Sequence, residues 1–229
     1  MRLENAPPSN AKEPEVALAD LRQDYRQDSL RRDAMAPEPF AQFRTWFAQA
    51  QQSGIVEPTA MTLATVDPAT GQPSSRVVLL KGLDALGFTF FTNHQSRKGQ
   101  ELLAQPRAAL GFFWKELERQ VNVRGTVEPV TRQESEAYFH SRPRTSQLGA
   151  HASAQSAPIP GRTWLEEEFA ALEKRYPEGT LIPLPSNWGG YRLLPEAIEF
   201  WQGRPSRLHD RICYTLNQTG EWRLDRLSP

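Results

Sequence analysis

Arg204, Arg207, His209, Asp210 and Arg211 fall within eight residues, directly after the Phe200-Trp201 pair. In an extended strand alternate side chains share a face, so Arg207, His209 and Arg211 could all point the same way. Three potential cations on one face repel unless an anion sits among them. Asp210 has the opposite parity and cannot neutralise them directly. The chemistry this suggests is anion binding beside a flat ligand. The competing reading is a solvated edge strand whose charges discourage aggregation.

Three further clusters carry similar chemistry. Arg76-Val-Val-Leu-Leu-Lys81 flanks an apolar strand centre with cations, which are costly there unless satisfied. Arg76 and Lys81 have opposite parity, so sharing one site requires a bulge or a position near the strand's end. Phe91-Thr-Asn-His-Gln-Ser-Arg-Lys98 runs from a strand into a helix over Lys98 to Ala104. A helix start offers unpaired N–H groups and partial positive charge, and with Thr, Ser, Arg and Lys it makes a phosphate cradle. Gln95-Ser96 could equally be plain capping. In Tyr138-Phe-His-Ser-Arg-Pro-Arg-Thr-Ser146, Tyr138 and Arg142 share a helix face if the helix reaches that far. With Ser146 they could hold a second phosphate and cover a ring.

Metal chemistry is not expected. The four histidines show no ligand pairing, and one cysteine, Cys213, cannot build a thiolate site. Cys213 reads as a small apolar strand residue. No nucleophile elbow, P-loop or G-x-G-x-x-G occurs, so Rossmann-type dinucleotide binding is unsupported. Two phosphate cradles and planar aromatics without an obvious nucleophile imply a cofactor that carries the hard chemistry.

The elements that must position these groups can be read from periodicity. Val16 to Arg32 has a sparse helical stripe in Leu18, Leu21, Tyr25 and Leu30, a helix that packs lightly. Phe40, Phe43, Phe47 and Ala50 recur at helical spacing and Gly54 supplies a stop. Strands are expected over Ala60–Val66, Ser75–Leu80, Gly87–Thr92, Arg107–Trp114, Gln120–Val130, Ala197–Gln202, Arg211–Leu216 and Trp222–Leu227, with a turn at Asp67–Gly71. Thr131-Arg-Gln-Glu134 and Thr163-Trp-Leu-Glu166 match capping boxes and predict helix starts. Ser141 to Arg162 reads as a long functional or disordered loop. The fold class is α+β, with an antiparallel sheet closed into a barrel and helices around it. One domain over residues 15–229 is expected, after a disordered tail over 1–14.

Composition narrows the partners. Lys plus Arg equals Asp plus Glu at 27 each, which argues against a nucleic-acid binder with a broad basic surface. No apolar run approaches the roughly 20 residues of a membrane span, and the N-terminus lacks a signal-peptide stretch. A cytoplasmic protein is expected, without nucleic-acid or membrane partners.

Ile198-Glu-Phe-Trp-Gln-Gly followed by Arg207-Leu-His-Asp-Arg211 resembles the signature of the pyridoxine (pyridoxamine) 5′-phosphate oxidase family. The Arg76–Lys81, Phe91-Thr92, Ser96–Lys98, Glu118–Val121, Tyr138–Arg144, Gln155-Ser156, Asn187–Tyr191 and Trp222–Leu227 segments resemble it in the same order, covering Leu21 to Pro229. The resemblance implies an FMN-binding split β-barrel acting as a homodimer, with FMN at the subunit interface. Arg76, Lys81, Phe91, Thr92, Arg97, Lys98, Gln120, Gln155, Ser156, Trp201 and Arg211 would contact FMN. Phe91 would do so partly through its backbone, where some members carry Tyr. Lys81, Tyr138, Arg142 and Ser146 would take the substrate phosphate. Arg207 and His209, the implied catalytic residues, would face the substrate ring. Arg22 and Tyr25 would form a mobile cover. The implied reaction oxidises pyridoxine 5′-phosphate or pyridoxamine 5′-phosphate to pyridoxal 5′-phosphate by hydride transfer from C4′ to N5 of FMN, with dioxygen as acceptor and hydrogen peroxide released. Two other readings stand beside it: a non-catalytic flavin- and pyridoxal-phosphate-binding split barrel, and a flavin reductase. The presence of both Arg207 and His209 weighs against the first, and the absence of a visible nicotinamide site against the second.

Overall fold

A computed structural model describes residues 24–229. The tail over 1–14, the start of the helix expected from Val16, and Arg22 lie outside these residues. The remainder of that expected helix is not helical: residues 24–31 run without regular structure, and a single 3-10 turn follows at Arg32–Ala34. The reason is tertiary. Gln27 N–H donates to Glu118 Oε2 at 3.0 Å and Leu30 N–H to Asp210 Oδ2 at 3.0 Å. Arg204 and Arg226 donate to the carbonyls of Asp28 and Leu30. Partners on other elements replace the bonds a helix would make to itself.

The helix α1 (Pro39–Gln52) opens with proline in its first turn and buries Phe43, Trp46 and Ala50 on one stripe. It packs on an antiparallel sheet built from β1 (Ala60–Val66), β2 (Pro73–Leu79), β3 (Gly82–Leu83), β4 (Phe88–Asn93), β5 (Arg107–Trp114), β6 (Arg119–Pro129), β7 (Trp188–Gln202), β8 (Asp210–Leu216) and β9 (Trp222–Leu227). The order is β2-β1-β5-β6-β7-β4-β3, with β8 on β7 and β9 on β8. The curled sheet wraps a core of Phe43, Phe88, Phe112, Trp114, Val121 and Phe200. Phe43 sits edge-on to Phe88 at 4.9 Å and to Phe112 at 5.0 Å, arrangements that aromatic quadrupoles favour.

Sequence reading began β7 at Ala197, yet it runs back to Trp188 through Pro195. Proline lacks an N–H and is tolerated where pairing is broken. That is the case here: a β-bulge lies between Arg124 and Gly125, β4 pairs only with the first part of β7, and β8 only with the last. Gly125 is required at the bulge, since a Cβ there would lie 1.9 Å from the Leu194 carbonyl oxygen.

Four further α-helices occur among the described residues: α2 (Arg97–Ala104), α3 (Arg132–Ser141), α4 (Arg144–Ala152) and α5 (Arg162–Arg175). The capping box at Thr131 and Glu134 is formed. The one expected at Thr163 is not. Helix α5 begins two residues earlier, after Gly161, and Glu166 pairs with Arg162 at 2.8 Å instead. The expected loop from Ser141 to Arg162 contains α4, whose Leu148 and Ala152 are buried. Leu148 joins a second core with Phe139, Ile182, Leu184 and Trp188. Arg207 and His209 also differ from the strand reading, because β8 starts only at Asp210 and Arg207 lies in a 3-10 turn.

Candidate active site

A cleft of about 730 Å³ opens between β2, β4, the start of α2 and the α3–α4 pair. Arg76, Lys81, Phe91, Thr92, Lys98, Tyr138, Arg142, Ser146, Gln155 and Ser156 all line it. The parity conflict between Arg76 and Lys81 resolves at a strand end. β2 stops at Leu79, and Lys81 N–H turns to bond Thr89 O at 2.8 Å.

One end of the cleft is a buried cationic cradle. Ser96 caps α2 and accepts from Gly99 N–H at 3.3 Å. Lys98 Nζ donates to Gln155 Oε1 at 3.1 Å, and Thr92 Oγ1 donates to the same oxygen at 3.1 Å. Burial, with the nearby charge of Arg76, pulls the Lys98 ammonium below its ordinary value. Arg76 in turn is lowered chiefly by burial. Beneath them lies Glu101, a carboxylate with 6% side-chain exposure. It accepts from Thr65 Oγ1 at 2.5 Å, Ser74 Oγ at 2.9 Å, Arg97 Nε at 2.9 Å and Arg76 Nη2 at 3.4 Å. Burial pushes the Glu101 carboxyl up, but these hydrogen bonds and the Arg76 charge outweigh it and hold it below the ordinary carboxylate value. Arg97 is itself 60% exposed and is tied to the cradle through Glu101 rather than through the cleft wall.

The other end is aromatic and cationic. Phe91, Tyr138 and Trp188 lie nearly parallel, with Phe91 4.0 Å from Tyr138 and 5.5 Å from Trp188. Helix α3 stops at Ser141, so Arg142 is its C-cap and does not share the helical face with Tyr138; both still reach the cleft. The Arg142 guanidinium sits 4.8 Å above the Trp188 ring, a cation–π contact. Its Nη1 is buried without a hydrogen-bond partner among the described residues. Buried polar groups are rarely left so, and a guanidinium N–H in this state can donate to an anion. Burial also raises the Tyr138 hydroxyl.

The remaining described candidates, Tyr25, Gln120, Trp201, Arg207, His209 and Arg211, do not line the cleft. Gln120, Trp201 and Arg211 stand in one cross-strand row over β6, β7 and β8. Trp201 packs 4.6 Å from His209, and Tyr25 meets Trp201 edge-on at 5.7 Å. Arg211 is held by Glu199 through bonds of 2.8 and 3.0 Å. Arg207 is exposed on a loop where Ser206 and Arg207 have φ of 57° and 62°. Two such non-glycine residues store about 1–3 kcal/mol each. Glu101, Glu199 and Trp188 were missed as site residues in the sequence. Glu101 had a signal, its i,i+4 spacing from Arg97; Glu199 and Trp188 needed strand register and helix docking.

A family model described as pyridoxamine 5′-phosphate oxidase matches residues 47–176. A second, described as the pyridoxine 5′-phosphate oxidase C-terminal dimerisation region, matches residues 188–229. The chain belongs to the pyridoxine/pyridoxamine 5′-phosphate oxidase family. Proteins named pyridoxine/pyridoxamine 5′-phosphate oxidase from Cupriavidus necator and Bordetella petrii are 57% and 55% identical to it, over 93% of this chain and 99% and 100% of theirs. Among solved structures, PhzG from Burkholderia lata 383, in complex with tetrahydrophenazine-1-carboxylic acid, superposes with a TM-score of 0.82 at 31% identity, covering 88% of this chain and 98% of that one. A pyridoxamine 5′-phosphate oxidase-related, FMN-binding protein from Nostoc punctiforme shares the fold, with a TM-score of 0.69 at 19% identity over 85% of this chain and all of its own. The fold is thus the split β-barrel of the oxidase family. The cleft residues Arg76 to Ser156 fall in the first matched region, and Trp201 to Arg211 in the dimerisation region.

Proposed function

We propose that the protein oxidises pyridoxine 5′-phosphate and pyridoxamine 5′-phosphate to pyridoxal 5′-phosphate, with FMN as cofactor and dioxygen as electron acceptor. The observation that carries this reading is the Arg142 guanidinium, pinned over Trp188 with a buried, unpartnered Nη1 beside Tyr138 and Ser146. That is a substrate-phosphate site at the end of a cleft whose opposite end is a second cationic cradle.

The residues fit FMN. A desolvated Lys98 beside Arg76 calls for an anion of higher charge than Glu101 alone supplies. Thr92, Gln155 and Ser156 add neutral hydrogen-bonding groups on the same wall. Arg76, Thr92, Lys98, Gln155 and Ser156 would therefore hold the FMN phosphate and ribityl chain, with Arg97 approaching from the rim. Phe91 would contact the flavin partly through its backbone, and Lys81 would stand between flavin and substrate. When bound, FMN supplies a hydride acceptor at N5 that dioxygen reoxidises, with hydrogen peroxide released.

The row Gln120, Trp201, Arg211 and the loop bearing Arg207 and His209 lie apart from the cleft of their own chain. We assign them to the cleft of a second subunit, which makes a homodimer the active form. Arg207 would cover the substrate ring and His209 would hydrogen-bond it, while Tyr25 and Arg22 would close over both. The protein's contribution is to stack the substrate C4′ at reacting distance and exclude water. The test is anaerobic mixing of the yellow protein with each phosphorylated vitamer. Bleaching of the flavin band, followed by stoichiometric peroxide on readmission of air, is expected; an unbleached flavin with bound vitamer would instead indicate a binding protein.

A further inference from the structure

The loop from Gly203 to His209, which joins β7 to β8, holds the consecutive left-handed residues Ser206 and Arg207. Such backbone persists only where its surroundings over-determine it. Leu208 N–H closes the inner turn on Pro205 O at 3.2 Å, and the bond that joins the two ends of the loop runs from the Arg204 main-chain N–H to His209 Nδ1, at 3.1 Å. Gly203 N–H is anchored on Glu118 O at 2.8 Å, and the Arg204 side chain on Asp28 O at 2.9 Å. His209 is therefore the lock of the strained loop as well as a candidate site residue.

A main-chain N–H can only donate. Nδ1 must accept, so it carries no proton, and the neutral ring keeps its proton on Nε2. The other tautomer, or an imidazolium, would set two donors against each other. Nε2 has no hydrogen-bond partner among the described residues. The ring around it is packed by Trp201, at 4.6 Å and 42°, and by Tyr25, at 5.9 Å and 66°.

We propose that His209 acts on the substrate ring as a neutral hydrogen-bond donor through Nε2–H, and that the Arg204 main-chain N–H is the positioning group that fixes this tautomer. The proposal rests on the oxidase reading above. It assigns His209 to an acceptor atom on the ring and removes it as a general base. It also separates two duties within one side chain: Nδ1 holds the loop and Nε2 meets the substrate.

Two measurements test it. Long-range proton–nitrogen correlation spectra of holoenzyme labelled at histidine, with His209 assigned by its loss in His209→Asn, should show an unprotonated Nδ1 and a proton-bearing Nε2. A proton on Nδ1 overturns the assignment. The second measurement uses shape. Asparagine places its amide near the Nδ1 position and can keep the loop bond, whereas glutamine carries an N–H donor to the Nε2 position. At equal flavin occupancy, His209→Gln should keep kcat/KM at least tenfold above His209→Asn. Equal values, or a better asparagine variant, would show that the loop lock is the whole role. A wild-type holoenzyme that makes no peroxide from either vitamer would refute the oxidase reading instead, and the nitrogen spectrum would still decide the tautomer.

Discussion

Arg207 and Arg211 stand four residues apart but in different surroundings. Arg211 is fixed by both oxygens of Glu199 and by the Ser228 carbonyl at 3.0 Å, whereas Arg207 projects into solvent from a strained turn. Methionine at either site keeps an apolar stem but deletes the planar fork. Arg207→Met should keep its flavin and lose at least tenfold in kcat/KM with both vitamers, about 1.4 kcal/mol of transition-state stabilisation. Arg211→Met should lose FMN first and regain activity in excess FMN. Flavin content and steady-state kinetics on the two proteins check this division, which fails if Arg207→Met emerges colourless. Arg97→Ala deletes one charge-assisted contact worth about 1.5–3 kcal/mol. FMN affinity should fall roughly tenfold or more while the affinity for substrate changes less, as titration of apoprotein would show.

At the scale of elements, α2 is placed by Glu101, which ties it to β1 through Thr65 and to β2 through Ser74 and Arg76. Glutamine offers one acceptor oxygen where several donors converge. Glu101→Gln should therefore cost about 1–3 kcal/mol of stability and weaken FMN along with it, since Arg76 and Arg97 both lose their guide. Chemical denaturation of apoprotein and FMN titration would measure the two effects separately. The segment from Asp24 to Arg31 is held differently, through Asp210, which accepts from Leu30 N–H and pairs with Arg226 at 2.6 Å. Burial raises the Asp210 carboxyl, but the Leu30 and Arg226 bonds outweigh it and its value is lowered. A carboxyl depressed in the folded state stabilises it fully above its unfolded value of about 4 and loses that contribution as pH falls through the folded value. Acid should thus release the N-terminal segment from the barrel's rim. Asp210→Asn should mimic this at neutral pH, with faster hydrogen exchange at Leu30 and unchanged exchange along β6. Uniform acceleration at both would contradict it.

For the whole molecule, the proposed assignment of the candidate residues to two subunits would make the dimer a condition of the chemistry. The protein should purify yellow and dimeric, with one FMN for each chain and no FAD. At a hundredfold excess over its dissociation constant FMN adds about 2.7 kcal/mol to stability, which for a chain of this size is roughly 5–10 °C in Tm. Mass measurement of the released flavin, light scattering and thermal unfolding with and without FMN check these together. FAD at full occupancy would contradict the reading of Ser96 to Lys98 as the cradle of a mononucleotide phosphate in a chain without a dinucleotide fingerprint.

The family and most elements were legible in the sequence because they rest on local rules and ordered motifs. Alternation marked β1, β5 and β9 to the residue, Thr131 and Glu134 marked the start of α3, and ordered motifs named the family. What the sequence left open depended on partners distant along the chain. Residues 24–31 have helical spacing but spend their backbone bonds on Glu118, Asp210, Arg204 and Arg226. The strand expected over Ala197–Gln202 extends back through Pro195 to Trp188 because the register shift opposite Pro195 needs no N–H there. Parity put Arg207, His209 and Arg211 on one strand face, yet Arg207 lies in the Pro205–Arg207 turn and His209 in the loop before β8, where its Nδ1 accepts from the Arg204 main-chain N–H. Tertiary structure alone decided that Glu101 holds two arginines and that the candidate residues divide between a cleft and a cross-strand row outside its lining. Such contacts depend on strand register and helix docking, which are set by global packing and not by any neighbour in sequence.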